Sequence, residues 1–160
     1  MKEINGFILS DDLTVIIDYK GNEKEVILPK GVKEISQYAL MDKGFTKVTL
    51  NEELEVIGFR GLQGNNIEEI ILPMNVNEVG SCAFNVCYNL KKITILNPKT
   101  SFIVDCFDHC YEITDIYFNG TYEEMKKAFY DEDEESWIYL SSDNVKIHLN
   151  DGASIKEFEK

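Results

Sequence analysis

The chain has 160 residues, of which 44% are hydrophobic and 11% aromatic, enough for one folded domain with a real core and too apolar for a disordered chain. Its 29 acidic residues outweigh 16 basic ones, a net charge of −13 that repels phosphate backbones and argues against nucleic acid as a partner. The opening Met1-Lys2-Glu3-Ile4-Asn5-Gly6 has no apolar stretch of signal-peptide length, and no run is long enough to span a bilayer. The chain as written is therefore expected to be cytoplasmic and not inserted in a membrane, with secretion or a cell-surface location as the alternative if a leader has been trimmed.

The first expected element is a β-hairpin. Phe7-Ile8-Leu9, a turn at Ser10-Asp11-Asp12 and a second strand over Leu13 to Tyr19 end at the turn Lys20-Gly21-Asn22. Residues 1–25 are read as an N-terminal cap lying against the next part of the chain.

From residue 26 onward the sequence is periodic. Ile70-Ile71-Leu72-Pro73, Val76, Val79-Gly80, Ala83-Phe84, Cys87 and Leu90 make one unit. Twenty-two residues earlier stand Val48-Thr49-Leu50-Asn51, Leu54, Ile57-Gly58, Gly61-Leu62 and Asn65. A further 22 back stand Val26-Ile27-Leu28-Pro29, Val32, Ile35-Ser36, Ala39-Leu40 and Lys43. Twenty-three residues on from Ile70 come Ile93-Thr94-Ile95-Leu96, Phe102, Cys106-Phe107 and Cys110, and then the closing Ile116-Tyr117-Phe118. Such a period marks a solenoid, in which no unit can bury its apolar side without a neighbour.

Within each unit the alternation of Val48 and Leu50 against Lys47 and Thr49 is that of a short strand. The later Ile-Gly-x-x-Ala-Phe segment is spaced like one or two helical turns. Val48, Leu50, Ile70, Leu72, Ile93 and Ile95 are the expected core column, each worth about 1.5–3 kcal/mol when fully buried. The small position (Ala39, Gly61, Ala83, Cys106) is where the closest packing is expected.

After Asn119-Gly120 the sequence Thr121-Tyr122-Glu123-Glu124 is a capping box that opens a helix to about Tyr130. Val145, Ile147 and Leu149 alternate as one more strand before a turn at Asn150-Asp151-Gly152, and Ala153 to Lys160 read as frayed or briefly helical. Residues 26–118 thus carry four repeats and a closing strand, residues 119–160 a C-terminal cap and tail, and 1–160 form a single domain.

The unit Ile70 to Leu90 resembles the BspA-like leucine-rich repeats of bacterial proteins, and the resemblance extends over about Val26 to Phe118. It implies an α/β repeat fold, a right-handed leucine-rich-repeat solenoid. One face would carry a parallel β-sheet and the other short helical or 3-10 turns, between an N-terminal β-hairpin cap and a C-terminal helix-strand cap. It also implies protein binding or adhesion, often at the cell surface, with no catalytic residues to carry over. Tyr117 to Thr121 and the elements after it are similar to the C-terminal ends of the same family, where Met125 stands in a position often held by Trp and Trp137 is a candidate to fill a similar hole.

Other constellations have ordinary explanations. Cys82, Cys87, Cys106, Asp105, Asp108, His109 and Cys110 could suggest zinc, but Cys87 and Cys110 share one repeat column while Cys106 and Cys82 belong to two others. Buried free thiols are favoured, then a disulfide, then zinc. The run Asp131 to Glu135 lacks the glycine and distant glutamate of a calcium loop. His109 and His148 are both expected to face outward, without a nucleophile to activate. The chain is accordingly expected to have no catalytic residues, metal or cofactor, a zinc-binding or hydrolytic protein being the least favoured alternative.

Two outward columns remain. Glu25, Lys47, Glu69, Lys92 and Asp115 alternate in sign and would form a charge ladder on stacked strands. Ile27, Thr49, Ile71, Thr94 and Tyr117 form a mildly apolar strip on the open face of the sheet, the candidate surface for a protein partner of unknown identity. A non-catalytic protein-binding module, monomeric or weakly oligomeric, is the expectation; a structural or cell-surface adhesion protein of the same type is the alternative.

Overall fold

A computed structural model describes residues 1–131, 136–137, 140–142 and 145–155. The chain opens with three antiparallel strands, β1 (Lys2–Ile4), β2 (Phe7–Leu9) and β3 (Val15–Tyr19). The first of these lies outside the expected hairpin. Its turn is Asn5-Gly6, both residues at positive φ (50° and 82°), which is the dipeptide that a tight hairpin turn requires.

Each coil then supplies a front strand and a shorter back strand: β4 (Glu25–Ile27) and β5 (Glu34–Ile35), β6 (Lys47–Thr49) and β7 (Val56–Ile57), β8 (Glu69–Leu72) and β9 (Glu78–Val79), β10 (Lys92–Ile95) and β11 (Ser101–Phe102). A front strand, β12 (Asp115–Phe118), begins the fifth. The back strands form one parallel array, to which the N-terminal hairpin adds directly through β3 and β5. The front strands are parallel too, in register residue for residue from β8 through β10 to β12. The result is a β-solenoid of about five turns.

The third side of each coil departs from expectation. Instead of a short helix after the Ile-Gly pair, the chain runs through consecutive turns. Non-glycine residues take positive φ at Tyr38, Arg60, Cys82 and Asp105, and four residues further on at Asp42, Val86 and His109, with Gly64 in the remaining place. Left-handed backbone is uncommon outside glycine and an outlier for a β-branched residue such as Val86. The amides explain why it is tolerated. Those of Tyr38, Leu40 and Asp42 donate to carbonyls of Phe59, Gly61 and Gln63 on the next coil, while those of Ala39 and Met41 close local turns on Ser36 and Tyr38. The next coil repeats the scheme, with Arg60, Leu62 and Gly64 bonding across and Gly61 and Gln63 bonding within. Every second amide therefore ties adjacent coils together, so that the backbone polar groups of the turn are satisfied without a helix.

The interior is one contiguous apolar column. Val48, Leu50, Ile70, Leu72, Ile93 and Ile95 are all buried, as are Ala39, Gly61, Ala83 and Cys106 at the small position. Close backbone approach between successive coils also occurs at Gly58 and Gly80. A Cβ on Gly58 would stand 2.9 Å from the Ile35 carbonyl oxygen, and one on Gly80 would stand 2.9 Å from the Phe59 nitrogen. Those glycines let successive coils touch.

At the far end, α1 (Tyr122–Phe129) is capped by Thr121, whose side chain accepts from the Glu124 amide while the Glu124 carboxylate accepts from the Thr121 amide. Its Met125, Ala128 and Phe129 are buried, Phe129 stacking on Phe102 at 4.7 Å. Two short strands, β13 (Tyr130–Asp131) and β14 (Ser136–Trp137), pair antiparallel. The strand β15 (Lys146–Leu149) then adds in parallel to β12, and β16 (Ser154–Ile155) adds antiparallel to β15. Ser154 and Ile155 thus form a strand where a frayed or helical tail is expected from the sequence. The acidic run beyond Asp131, the Trp137 side chain and residues 156–160 lie outside the described residues. Among the described residues, no helix is long and apolar enough to cross a membrane.

Candidate functional site

The front face carries the outward columns. Parallel pairing sets Ile27 beside Thr49, and separately Ile71, Thr94 and Tyr117 in one row. Ile27 is 71% exposed, Ile71 57% and Tyr117 39%, whereas Thr94 is half-buried between its neighbours. The row has one more member than the repeat pattern assigns. His148 on β15 pairs in register with Tyr117, and the two rings stack at 4.3 Å, nearly parallel. The alternation of Val145, Ile147 and Leu149 already turns His148 outward. Extending the column into the closing strand would have found it.

The charge column is in place, but its members do not pair as a ladder of ion pairs. Glu25 stands beside Lys47, and Lys92 stands between Glu69 and Asp115. Among the described residues none of these neighbours forms a salt bridge. Asp115 instead holds His148 Nε2 at 2.6 Å and accepts from the Thr114 hydroxyl at 2.9 Å. Lys92 places its ammonium 5.0 Å from the centre of the Tyr117 ring. The competing partners win because a short aspartate reaches the adjacent imidazole more easily than a lysine head that already lies over an aromatic face. The His148 contact, with the Thr114 hydroxyl, holds the Asp115 carboxyl below its ordinary value of 3.8. Ion pairs between coils do form to the sides of this column, Lys33 with Glu55 at 3.0 Å and Lys91 with Glu68 at 3.7 Å.

The cysteines are free and sit in three different columns. Cys106 is fully buried at the small position, and Cys82 occupies the same left-handed turn position as Asp105. Cys87 and Cys110 are stacked equivalents whose thiols donate to the Leu62 carbonyl at 3.5 Å and the Phe84 carbonyl at 3.1 Å. Burial pushes the Cys87 thiol up to about 12 and raises those of Cys106 and Cys110 well above the usual thiol range. Among the described residues, no three His, Cys, Asp or Glu side chains converge to hold a metal ion.

His109 is exposed and pairs through Nδ1 with Asp108 at 2.8 Å. Ser141, which no sequence pattern places here, also reaches this spot. Its hydroxyl donates to Asp108 Oδ1 at 3.1 Å and accepts from the His109 amide at 2.7 Å. The hydroxyl is thus bound to the carboxylate and the backbone, not to the imidazole that would have to deprotonate it.

A groove of about 550 Å³ opens on the front face between β6 and β8, lined by Glu25, Lys47, Leu50, Glu69, Ile71 and Pro73 among others. It therefore joins the apolar strip to the charged column.

Residues 17–135 match the family described as the BspA type leucine-rich repeat region, in six copies. That span is wider than the four repeats read from the sequence and takes in part of each cap. Solved structures with the same fold include a leucine-rich repeat protein from Eubacterium ventriosum, 19% identical, with a TM-score of 0.63 over 73% of this chain and 34% of that one. The leucine-rich repeat protein of T. pallidum is 20% identical, with a TM-score of 0.52 over 73% of this chain and 71% of that one. The pneumococcal vaccine antigen PcpA is 24% identical, with a TM-score of 0.55 over 91% of this chain and 41% of that one. The chain spans about a third of the length of the first of these. No curated protein matches it.

Proposed function

Because the chain belongs to the BspA-type leucine-rich repeat family, we propose that it is a non-catalytic protein-binding module that presents the front face of its sheet to a partner. The observation that carries this reading is the outward-facing set of Ile27, Ile71 and Tyr117, all exposed, with His148 half-buried against Tyr117 in the parallel-paired row that Ile71 begins. Large apolar and aromatic side chains that remain exposed on a rigid surface are what a partner buries most productively. The surrounding acids favour a partner with basic groups over nucleic acid. The dispersal of the thiols, and the engagement of the Ser141 hydroxyl by Asp108, support the non-catalytic part of the reading.

Affinity capture from the native cell's lysate with the wild-type chain and with an Ile71→Ser/Tyr117→Lys double variant tests it. Both side chains are exposed, so the variant should keep its melting temperature while losing tenfold or more in partner affinity, on the order of the cost of removing two contact residues. Capture of the same partner with unchanged affinity would reject the strip.

A further inference from the structure

The two outward columns of the front face share one rhythm. Strands β4 and β8 each present an acid and a large apolar residue, Glu25 with Ile27 and Glu69 with Ile71. Strands β6 and β10 each present a base and a smaller residue, Lys47 with Thr49 and Lys92 with Thr94. Acid and bulk therefore fall on one set of rungs, base and hollow on the other. Pairing of β4 with β6 and of β8 with β10 fixes this register, and β6 and β8 lie side by side although they do not pair. The four rungs carry two acids against two bases, a neutral stripe on a chain whose net charge is −13. Among the described residues, Glu25, Lys47 and Glu69 form no salt bridge within the chain.

Such a surface is its own complement. Turned over about an axis that runs along the strands, a second copy keeps each column opposite the same column but reverses the order of the rungs. With that axis between β6 and β8, Lys47 faces Glu69 of the other copy and Glu25 faces Lys92, each contact occurring twice. In the neighbouring column Ile71 faces Thr49 and Ile27 faces Thr94, bulk against hollow. We propose that the front face is an interface between two copies of this chain in this arrangement. A slide of one rung would set acid against acid and base against base. A slide of two restores the signs, but in one direction it leaves only β4 and β6 in contact. In the other it sets Lys47 against Asp115, which is already bound to His148 Nε2 at 2.6 Å and to the Thr114 hydroxyl at 2.9 Å. The Lys92 ammonium, though it lies over the Tyr117 ring, keeps hydrogen-bond donors for Glu25 of the other copy. The axis crosses the groove between β6 and β8, whose Ile71 and Pro73 walls would be shut from water. Four rungs about 4.8 Å apart make a contact only about 20 Å long, and molecules of like net charge repel, so the dimer belongs to the weak, reversible class. The inference rests on the reading of the front face as the binding surface and names another copy as a partner, Lys47 and Lys92 supplying the basic groups that such a surface favours.

Sedimentation velocity of the full chain from about 10 μM to about 1 mM, the span in which a weak interface becomes populated, tests it. A monomer–dimer equilibrium is expected, with nothing beyond the dimer because a two-fold contact closes on itself. A Glu25→Lys/Glu69→Lys variant and a Lys47→Glu/Lys92→Glu variant should each lose about tenfold or more in self-affinity, since like charges then meet at every contact. Mixed in equal amounts, the two should form a dimer about as tight as the wild type, because every contact again joins opposite signs and the total charge is unchanged. The first variant is less acidic than the wild type, so its loss cannot come from net repulsion. A Glu3→Lys/Glu78→Lys control, with both changes on the back array, should associate at least as well as the wild type. A wild type that stays monomeric over the whole range, a growing series of oligomers, a dimer indifferent to the charge variants, or a mixture no tighter than its components would each overturn the proposal. A monomeric chain that still captures a partner through Ile71 and Tyr117 would remove the dimer and leave the binding module standing. A monomeric chain whose partner is indifferent to Ile71 and Tyr117 would remove both.

Discussion

At position 65 an asparagine fills the role that cysteines fill in the next two coils. Its amide donates to the Leu40 and Leu62 carbonyls at 2.8 Å each, and its oxygen accepts from the Phe45 amide at 3.0 Å. Cys87 and Cys110, one and two coils on, give a single donor to the corresponding carbonyls. Each unmade buried bond costs about 1–3 kcal/mol. Asn65→Leu should therefore lower stability by about 3 kcal/mol or more, while Asn65→Cys, which restores one donor, should lose measurably less. Denaturant midpoints of the two variants check the order, and equal losses would show that the column tolerates any side chain of the right size. The column itself was legible from spacing. Its chemistry was not, because only the folded arrangement shows which carbonyl each polar head meets. The left-handed turn residues were invisible for a related reason. Tyr38, Arg60, Cys82 and Val86 carry none of the glycine signal that normally marks positive φ, and the cross-coil bonds that hold them there are not local.

Elements were readable where they were long enough to show a period. The alternation at Lys47 to Leu50 and at Val145 to Leu149 each marks a strand in the expected place, whereas back strands of two residues, such as Glu34–Ile35, cannot alternate and so give no strand signal of their own. The front strands β6 and β8 do not pair, and the one written clue is Pro73, which has no amide to donate, but three other coils carry Pro or Asn at that place, so the residue type alone does not announce it. The helix α1 shows what an end element contributes. Its Phe129 lies against Phe102 of the last full coil and Phe118 of the closing one. Phe129→Ala should cost about 3–5 kcal/mol through the cavity it leaves. Calorimetry should record a lower melting temperature with the solenoid still cooperative. A split transition would mean that the helix is a separate unit instead of part of the same fold.

For the molecule as a whole, the 22- and 23-residue spacing was enough to place one shared interior, because repeats that cannot bury their own apolar side must stack. The matched family region, running from residue 17 to residue 135, extends that logic into both caps. Spacing alone could not convey how the stack resists being pulled apart, and the turn side gives that a measurable form. Amides of Tyr38, Leu40, Arg60 and Leu62 are released to solvent only when neighbouring coils separate, while those of Ala39, Met41, Gly61 and Gln63 need only a local turn to open. Deuterium uptake along this side should therefore rise and fall residue by residue, slow and fast in strict alternation. Such a trace would time the parting of the coils from within a single stretch of chain, and a uniform rate would mean that they never part independently of the turns themselves.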